Sequence, residues 1–421
     1  MPGVRVAQLS ERPVQQLAWR FAGVRRETVQ VAAAMFLGFA LSGCSLLQRD
    51  RSEPPAPLPS IEAVTQPQVL WTRSIGSGGD RNLWRARPGV EGNRVWAVDG
   101  LGRLTAFDRE TGAAITELRS ERARVTAGVG VGGGRVVFGD IDGRVHAFDT
   151  ARGAEVWVRQ LDAAVGAVSD LSAGRVVVRT FDGRLLALSA ETGETLWTAL
   201  RSTPALSLTG QQTPLLLPGR VLTGFDSGRL VMFGIERGAP VWDVALAVPA
   251  GRSDVERLVD IDGRMATGGG AVFVASFQGR LAALSLDRGA VAWTRPFSSV
   301  TGVALDQVSG TLLAVSDEDH LFGFDAREGR DRWETRDLRL RRLTSPVVVD
   351  GHGVIGDFDG YLHWIDLRDG RLVARARVGS RAVLPELVEA DGVIFGLTAD
   401  GRLFAVDGRL AADSQSGLSQ R

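Results

Sequence analysis

The chain has 421 residues, with 49 Lys and Arg against 49 Asp and Glu, one cysteine and 52 glycines. Balanced charge without long runs of one sign argues against nucleic acid as a partner, and a lone cysteine excludes an internal disulfide or a cysteine-based zinc cage. The many glycines, and the lack of a long apolar stripe at helical spacing after residue 45, favour short strands joined by tight turns.

Residues 1–43 are predicted to form a signal peptide. Three arginines precede an apolar run over residues 29–40, which is short for a membrane span but suits a signal-peptide core. The run ends in Leu41-Ser42-Gly43-Cys44, which resembles the bacterial lipobox. That resemblance implies cleavage before Cys44 and acylation of Cys44, and Ser45 after it resembles the sorting signal for the outer membrane. The alternative is an uncleaved apolar segment with an incidental cysteine.

Residues 44–67 are predicted to be an extended tether. They contain five prolines and scattered charges, which cannot supply a packed core. We expect this segment to hold the folded part off the membrane surface. At the other end of the chain, residues 409–421 are predicted to be a disordered tail.

Between them, a unit of about 40 residues recurs eight times. Each unit has an apolar strand, an Asp-Gly-Arg-like turn, a second strand and a Thr-Gly-like turn. Alternating strands with two turn signals per unit predict a four-stranded antiparallel blade, so residues 68–408 are predicted to form an all-β, eight-bladed β-propeller. The first turn of each unit falls at Gly102, Gly143, Gly183, Gly228, Gly279, Asp319, Gly360 and Gly401.

A tryptophan strand follows most units, and one such strand stands alone near the start of the chain. One large ring per blade is most simply packing between neighbouring blades rather than a cofactor-stacking group. The last unit lacks its tryptophan strand, so the early strand around Trp71 is predicted to complete it and close the ring. Cutting before residue 80 should then destabilise the whole propeller. The predicted packing tryptophans are Trp71, Trp157, Trp197, Trp242, Trp293 and Trp333.

No catalytic or metal constellation is visible in the sequence. Acidic turns such as Asp140-Ile141-Asp142-Gly143 superficially resemble calcium loops but lack the later bidentate glutamate, so we interpret them as turn chemistry, with weak cation binding as the alternative. The four histidines have no metal-binding spacing, and no nucleophile elbow, Walker loop or dinucleotide fingerprint occurs. We therefore predict no cofactor, no metal and no enzymatic activity.

Two spacings between repeats are longer than the rest, 45 and 51 residues. The extra residues lie in equivalent connections, over residues 201–214 and 247–265, which should emerge as neighbours on one face of the ring. Long loops on a rigid scaffold commonly carry binding. Their aliphatic side chains ringed by acids favour a protein interface, with insertions that fold on themselves as the alternative.

With lipobox, tether, blades and loops, residues 41–408 resemble the BamB family, propeller lipoproteins of the bacterial outer-membrane β-barrel assembly (BAM) machinery. The discriminating stretches are Leu-x-Leu at Leu206 and Leu208, and Arg-Leu-x-Asp-x-Asp from Arg257 through Asp260 to Asp262. The resemblance implies that these stretches contact the periplasmic POTRA region of BamA. Thr209 departs from the family, in which an arginine can follow the second leucine.

The resemblance implies a non-enzymatic scaffold lipoprotein on the periplasmic face of the outer membrane. It would bind BamA and support insertion of β-barrel proteins, with nascent outer-membrane proteins as further candidate partners. The competing hypothesis is a periplasmic propeller that binds a small ligand in its central funnel, or a relative of the pyrroloquinoline-quinone (PQQ) dehydrogenases, which share this kind of repeat.

Overall fold

The computed structural model describes residues 53–61, 66–76, 78–79, 84–121, 123–201, 212–248, 252–253 and 255–410. Within these ranges it has thirty-two strands, and no helix there is long and apolar enough to cross a membrane. The chain divides into two compact units, Met1–Pro54 and Pro55–Arg421, and every strand belongs to the second. The predicted signal peptide, Cys44 and residues 411–421 of the predicted tail lie outside the described residues.

The strands form eight four-stranded antiparallel sheets, one per repeat, so the predicted all-β, eight-bladed propeller is confirmed. In each blade the first strand is innermost and the fourth is at the rim. Blade 1 is β2(Gly89–Glu91), β3(Arg94–Val98), β4(Arg103–Asp108) and β5(Ala114–Arg119); blade 2 is β6(Val125–Gly132), β7(Arg135–Asp140), β8(Arg144–Asp149) and β9(Ala154–Gln160); blade 3 is β10(Val165–Ser172), β11(Arg175–Thr180), β12(Arg184–Ser189) and β13(Thr195–Leu200); blade 4 is β14(Leu215–Leu217), β15(Arg220–Gly224), β16(Arg229–Gly234) and β17(Pro240–Ala245).

The second half of the ring repeats the same order. Blade 5 is β18(Ala266–Gly268), β19(Ala271–Ala275), β20(Gly279–Ser285) and β21(Val291–Phe297); blade 6 is β22(Gly302–Asp306), β23(Thr311–Val315), β24(Leu321–Asp325) and β25(Asp331–Thr335); blade 7 is β26(Val347–Val349), β27(His352–Gly356), β28(Tyr361–Asp366) and β29(Leu372–Arg377); blade 8 is β30(Val388–Ala390), β31(Val393–Thr398), β32(Arg402–Asp407) and the N-terminal β1(Val69–Ser74).

The turn between the second and third strands of each blade needs a residue in the left-handed region. In six blades a predicted turn glycine supplies it, with φ between 71° and 84°. Asp319 takes the position in blade 6 with φ 61°, which a short polar side chain tolerates. Blade 5 differs from the prediction, because its left-handed residue is Gln278 and Gly279 already begins β20.

Hydrophobic cores lie between neighbouring blades, where the second and third strands are buried on both faces. Leu222 of blade 4 and Val274 of blade 5, for example, belong to one buried cluster. The rim strands are more exposed, and β9 has no fully buried residue. This decrease in burial toward the rim explains why the sequences of the inner strands are continuous apolar runs, whereas apolar and polar residues alternate in the rim strands.

Each predicted packing tryptophan reaches from the rim strand of one blade to the last turn of the next. Its indole N–H donates to a backbone carbonyl there, over 2.8–3.1 Å, and its ring covers a left-handed glycine. A Cβ on any of these glycines would lie less than 3 Å from the ring, so no larger residue fits. The pairs are Trp71 with Gly112, Trp157 with Gly193, Trp197 with Gly238, Trp242 with Gly289, Trp293 with Gly329, and Trp333 with Gly370.

The N-terminal strand closes the ring as the sequence predicts. β1 pairs antiparallel with β32, with Thr72 opposite Phe404. Trp71 then reaches across to blade 1, where its indole donates to the carbonyl of Arg109 over 3.0 Å. Arg109 in turn forms an ion pair of 2.8 Å with Asp391 of blade 8. The last and first blades are therefore joined from both sides.

Part of the predicted tether is not free of the folded unit. The amide of Ala56 donates to the carbonyl of Arg339 over 2.9 Å, and the guanidinium of Arg375 donates to the carbonyl of Pro59 over 3.1 Å. The second compact unit accordingly begins at Pro55 rather than near residue 68. Proline has no amide hydrogen, so the carbonyls of this stretch depend on donors outside it, such as the Arg375 guanidinium, and these contacts give it a fixed place that composition does not reveal.

Candidate functional site: the loop face and its cavity

We call the loop face the side of the ring that carries the connections from each rim strand to the innermost strand of the next blade. At its centre is a cavity of about 790 Å³. Its lining comes mainly from the ends of those connections. It includes Pro214 at the end of one long loop and Met265 at the end of the other, so the described ends of the two loops line one cavity.

Several charged side chains of this cavity already have partners within the protein. Arg87 contacts Asp170 at 2.8 Å and Glu386 at 3.8 Å, and Thr213 donates to Glu386 over 2.9 Å. Burial would lower the pKa of Arg87, but the two carboxylates outweigh it and raise that pKa. Arg264 donates to the carbonyl of Leu387 over 2.8 Å. These charges hold the connections around the cavity in place, and that use competes with binding a charged ligand.

The second long loop has a buried half and an exposed half. In the buried half, Ile261 packs so closely on Gly224 that a Cβ there would lie 2.3 Å from it. The Asp260 carbonyl accepts the amide of Phe277 over 2.7 Å, and the Arg264 amide donates to Thr301 over 3.0 Å. The buried half is therefore fixed to blade 5 and to the start of blade 6.

Beneath this loop lies a buried cluster of three carboxylates and one guanidinium. Arg179, on β11 of blade 3, donates to Asp226 in the turn after β15 of blade 4. Its second terminal nitrogen lies 3.6 Å from Asp262 in the long loop. One oxygen of each of Asp226, Asp260 and Asp262 lies within 4.8 Å of the others. The cluster, called here the Arg179 cluster, joins three successive blades under the loop face.

Burial controls the protonation of this cluster. It raises the pKa of Asp260 to about 10, with the nearby Asp262 and Asp226 adding to the effect. It also raises the pKa of Asp262 to about 7, which Arg179 opposes. Asp260 therefore holds a proton at neutral pH. Three carboxylates could in principle ligate a divalent cation, but Arg179 already supplies a positive charge to two of them.

The exposed half of the loop presents a different surface. A capping arrangement organises it, because Glu256 accepts the amide of Arg252 over 2.7 Å and the Ser253 hydroxyl accepts the amide of Glu256 over 3.2 Å. Val248 is 73% exposed and Val255 is 61% exposed. Arg257 is also exposed.

Exposed apolar side chains occur on or beside three successive connections of the loop face. Besides Val248 and Val255, Leu200 and Val300 flank the neighbouring connections and are also exposed. In the described parts of the other five connections no large apolar side chain is exposed. Sequence alone does not identify these residues, since an exposed valine and a buried isoleucine in one loop look alike in sequence. We call Leu200, Val248, Val255 and Val300 the apolar patch.

The predicted contact residues fall into three groups. Leu206, Leu208 and Thr209 lie outside the described residues. Arg257 is exposed and available to a partner. Asp260 has no exposed surface and the side chain of Asp262 is only 4% exposed. The expectation that these two aspartates touch a partner directly does not fit this structure, because the loop folds them inward onto Arg179.

The acidic turns that superficially resemble calcium loops serve as hairpin acceptors. Asp140 accepts the amide of Arg144 over 2.8 Å, and Asp357 accepts the amide of Tyr361 over 3.0 Å. Asp357 also binds Arg341 and His363 through its other oxygen. The carboxylates are thus used to shape turns on the loop face.

Comparisons with known proteins agree with this architecture. A family model described as outer membrane protein assembly factor BamB matches residues 100–335 and 304–409. The chain is 34% identical to the protein of that name from Xanthomonas campestris, covering 89% of this chain and 97% of the relative. It is 34% identical to the protein from Escherichia coli, covering 87% and 95%. It is 39% identical to the protein from Alkalilimnicola ehrlichii, covering 82% and 89%.

Solved structures give the same picture. The crystal structure of BamB from Moraxella catarrhalis superposes with a TM-score of 0.72 at 25% identity, covering 80% of this chain and all of that one. A quinohemoprotein alcohol dehydrogenase from Comamonas testosteroni gives a TM-score of 0.63 at 15% identity, covering 85% and 79%. At that identity the second likeness reflects the shared propeller fold alone.

Proposed function

The chain belongs to the BamB family of outer membrane protein assembly factors, and from that membership we propose that it is a non-enzymatic scaffold. It works within the outer-membrane β-barrel assembly machinery together with the BamA-type barrel protein. We further propose that it binds the periplasmic POTRA region of that protein through the loop face. An acylated Cys44 would hold it on the periplasmic side of the outer membrane.

The observation that carries this proposal is the apolar patch. Interfaces gain most of their energy from apolar groups that lose contact with water at the centre, while charges at the rim fix the register. Val248 and Val255 lie on the loop that also carries the exposed Arg257, and Met265 at the end of the same loop lines the charged cavity. This combination of exposed apolar and charged side chains suits a protein partner.

The Arg179 cluster supports the same surface from inside. Asp226 of blade 4 and Asp262 of the long loop both reach Arg179, and a carboxyl oxygen of Asp260 lies within 4.8 Å of an oxygen of each. We propose that Asp260 and Asp262 act as positioning residues that fix the shape of the loop. Substituting them would then weaken partner binding indirectly, by releasing the loop.

A pulldown from detergent-solubilised envelopes tests this function. The variant Val248→Ser, Val255→Ser removes two exposed side chains without touching the core. Burying two valines against a partner contributes roughly 2–4 kcal/mol, so we expect recovery of the BamA-type protein to fall by about tenfold or more.

The matched control is Val308→Ser, which replaces an even more exposed valine in the turn between β22 and β23, on the opposite face of the ring. It should recover the partner as the unaltered protein does. Full recovery of the partner by the double variant would show that the contact lies outside the apolar patch. Loss of the partner with both the double variant and the control would indicate a general defect.

A further inference from the structure

The segment just before the propeller has the composition of a stiff, pre-extended strand. Residues 54–59 read Pro-Pro-Ala-Pro-Leu-Pro, so only Ala56 and Leu58 have amide hydrogens. Proline fixes φ and favours the polyproline II conformation, which loses little entropy on docking. Ala56, Leu58 and Pro59 are half-buried while Pro55 and Pro57 are exposed, so one side of the segment lies against the blades.

Arg341 provides a prepared docking group for this segment. Its guanidinium is buried and is held by Asp357 at 2.8 Å and by Asp359 at 2.7 Å. It also lies 4.8 Å from the centre of the Phe358 ring. Its remaining terminal nitrogen donates to the carbonyl of Ala56 over 3.0 Å. Because acids of the propeller already fix this arginine, its donor is aimed before the segment binds.

Two further contacts complete the docking site. The amide of Ala56 donates to the carbonyl of Arg339 over 2.9 Å, so Ala56 is bound through both of its backbone groups. Arg375 lies 5.6 Å from the centre of the Tyr361 ring and donates to the carbonyl of Pro59 over 3.1 Å. We call Arg339, Arg341 and Arg375 the tether seat.

Arg339 and Arg341 of the tether seat belong to the loop face, and Arg375 lies on the rim strand β29 of the next blade. Arg339 and Arg341 lie in the connection between β25 and β26, and the acids that hold Arg341 lie in the turn between β27 and β28. Both features are on the side of the ring that carries the cavity and the apolar patch. The seat is on blades 6 and 7, one blade beyond the connection that carries Val300.

We propose that the tether seat captures the lipid tether and makes it leave the propeller from the loop face. The chain from Cys44 to Pro55 is eleven residues and spans at most about 40 Å, whereas the chain from Cys44 to Val69 is twenty-five residues and spans up to about 90 Å. The seat therefore reduces the maximum length of free chain between the lipid and the propeller by more than half. It also directs the loop face toward the membrane that holds the partner. This rests on the proposed acylation of Cys44.

Hydrogen–deuterium exchange of the full-length protein tests the capture itself. The variant Arg375→Met keeps a long apolar side chain but removes the donor to Pro59. Its control is Arg371→Met, an exposed arginine of blade 7 that pairs with Asp369 away from the seat. We expect exchange in peptides covering residues 53–61 to rise by about tenfold in Arg375→Met and to stay unchanged in Arg371→Met. Rapid exchange of this segment in the unaltered protein would overturn the capture.

Energy transfer to a membrane tests the orientation. The lipidated protein would be placed in vesicles of phosphatidylethanolamine and phosphatidylglycerol (3:1) containing an acceptor-labelled lipid. A donor dye would be attached through Leu101→Cys on the loop face or Val308→Cys on the opposite face, both at exposed positions. We expect higher transfer from position 101, and the difference should shrink in Arg375→Met.

Equal transfer from both faces, or a difference unaffected by Arg375→Met, would overturn the orientation. Flotation with the vesicles reports acylation separately. A protein that does not float would remove the anchoring on which the orientation rests, and the exchange experiment would still decide whether the seat holds the segment. Neither result bears on the pulldown, so failure of this inference is distinct from failure of the proposed function.

Discussion

At the scale of single residues, the Arg179 cluster is the most unusual chemistry in the described part of the molecule. Arg179 has no exposed surface and Asp260 has none either. Burial of a carboxylate costs several kcal/mol unless it is paired or protonated, and one guanidinium cannot neutralise three carboxylates. The cluster resolves this by keeping a proton on Asp260, which makes the stability of the fold depend on pH.

The variant Asp260→Asn tests that statement. The folded pKa of Asp260, about 10, lies above the unfolded value near 4, so the folded protein binds a proton that the unfolded chain releases. Stability should therefore fall as pH rises through this window, by at most about 4 kcal/mol between pH 6 and pH 9. Asparagine cannot ionise and removes that dependence. The melting temperature of the variant, relative to that of the unaltered protein, should therefore rise by several degrees as the pH goes from 6 to 9.

The control for this experiment is Asp162→Asn, whose carboxylate is 81% exposed. Its melting temperature should change with pH in the same way as that of the unaltered protein. If the melting temperature of Asp260→Asn also followed that of the unaltered protein at every pH, Asp260 would have to be ionised in the folded protein.

At the scale of elements, the repeated unit is a tryptophan on one blade and a glycine on the next. The indole N–H donates to a turn carbonyl while the ring covers the turn backbone. A hydrogen bond and the burial of an aromatic ring therefore stabilise the same contact. Sequence periodicity predicts the strands and the tryptophans because both recur at fixed spacing. It does not predict the partner of each ring, since the tryptophan and its glycine are more than thirty residues apart.

Two glycines in blade 3 allow the energetic effect of the tryptophan contact to be separated from the effect of the left-handed backbone conformation. Gly193 and Gly174 have φ of 72° and 70°, but a Cβ on Gly193 would lie 2.7 Å from the ring of Trp157, whereas one on Gly174 would meet nothing within 4 Å. Both alanine substitutions should lose about 1–2 kcal/mol from the left-handed conformation. Gly193→Ala should lose roughly 1–3 kcal/mol more in denaturant titrations. Equal losses would show that the ring adapts without cost.

At the scale of the whole molecule, the ring depends on a strand from the opposite end of the chain. β1 completes blade 8, and Trp71 joins blade 8 to blade 1. The sequence predicts this closure because the last repeat lacks a tryptophan strand and the chain offers one near its start. It does not predict the tether seat or the inward folding of Asp260, because both depend on arginines that are distant in sequence and unremarkable in composition.

Two truncated chains test the closure. A chain beginning at residue 66 keeps β1, and a chain beginning at residue 76 lacks it; both lack Cys44 and the segment bound by the seat. Loss of the buried Trp71 alone should cost about 3–5 kcal/mol, and exposed sheet edges should add to it. We expect amide exchange to rise in all eight blades of the shorter chain. A rise confined to blade 8 would mean that the blades are independently stable.

Site-specific photocrosslinking in living cells shows whether the loop face contacts the BamA-type protein. A photoreactive residue would replace Val248 or Val255 on the apolar patch, and Val308 on the opposite face. We expect an adduct with the BamA-type protein from each of the first two positions and none from the third. Adducts from Val308 without any from the apolar patch would contradict this expectation and place the partner on the other side of the ring.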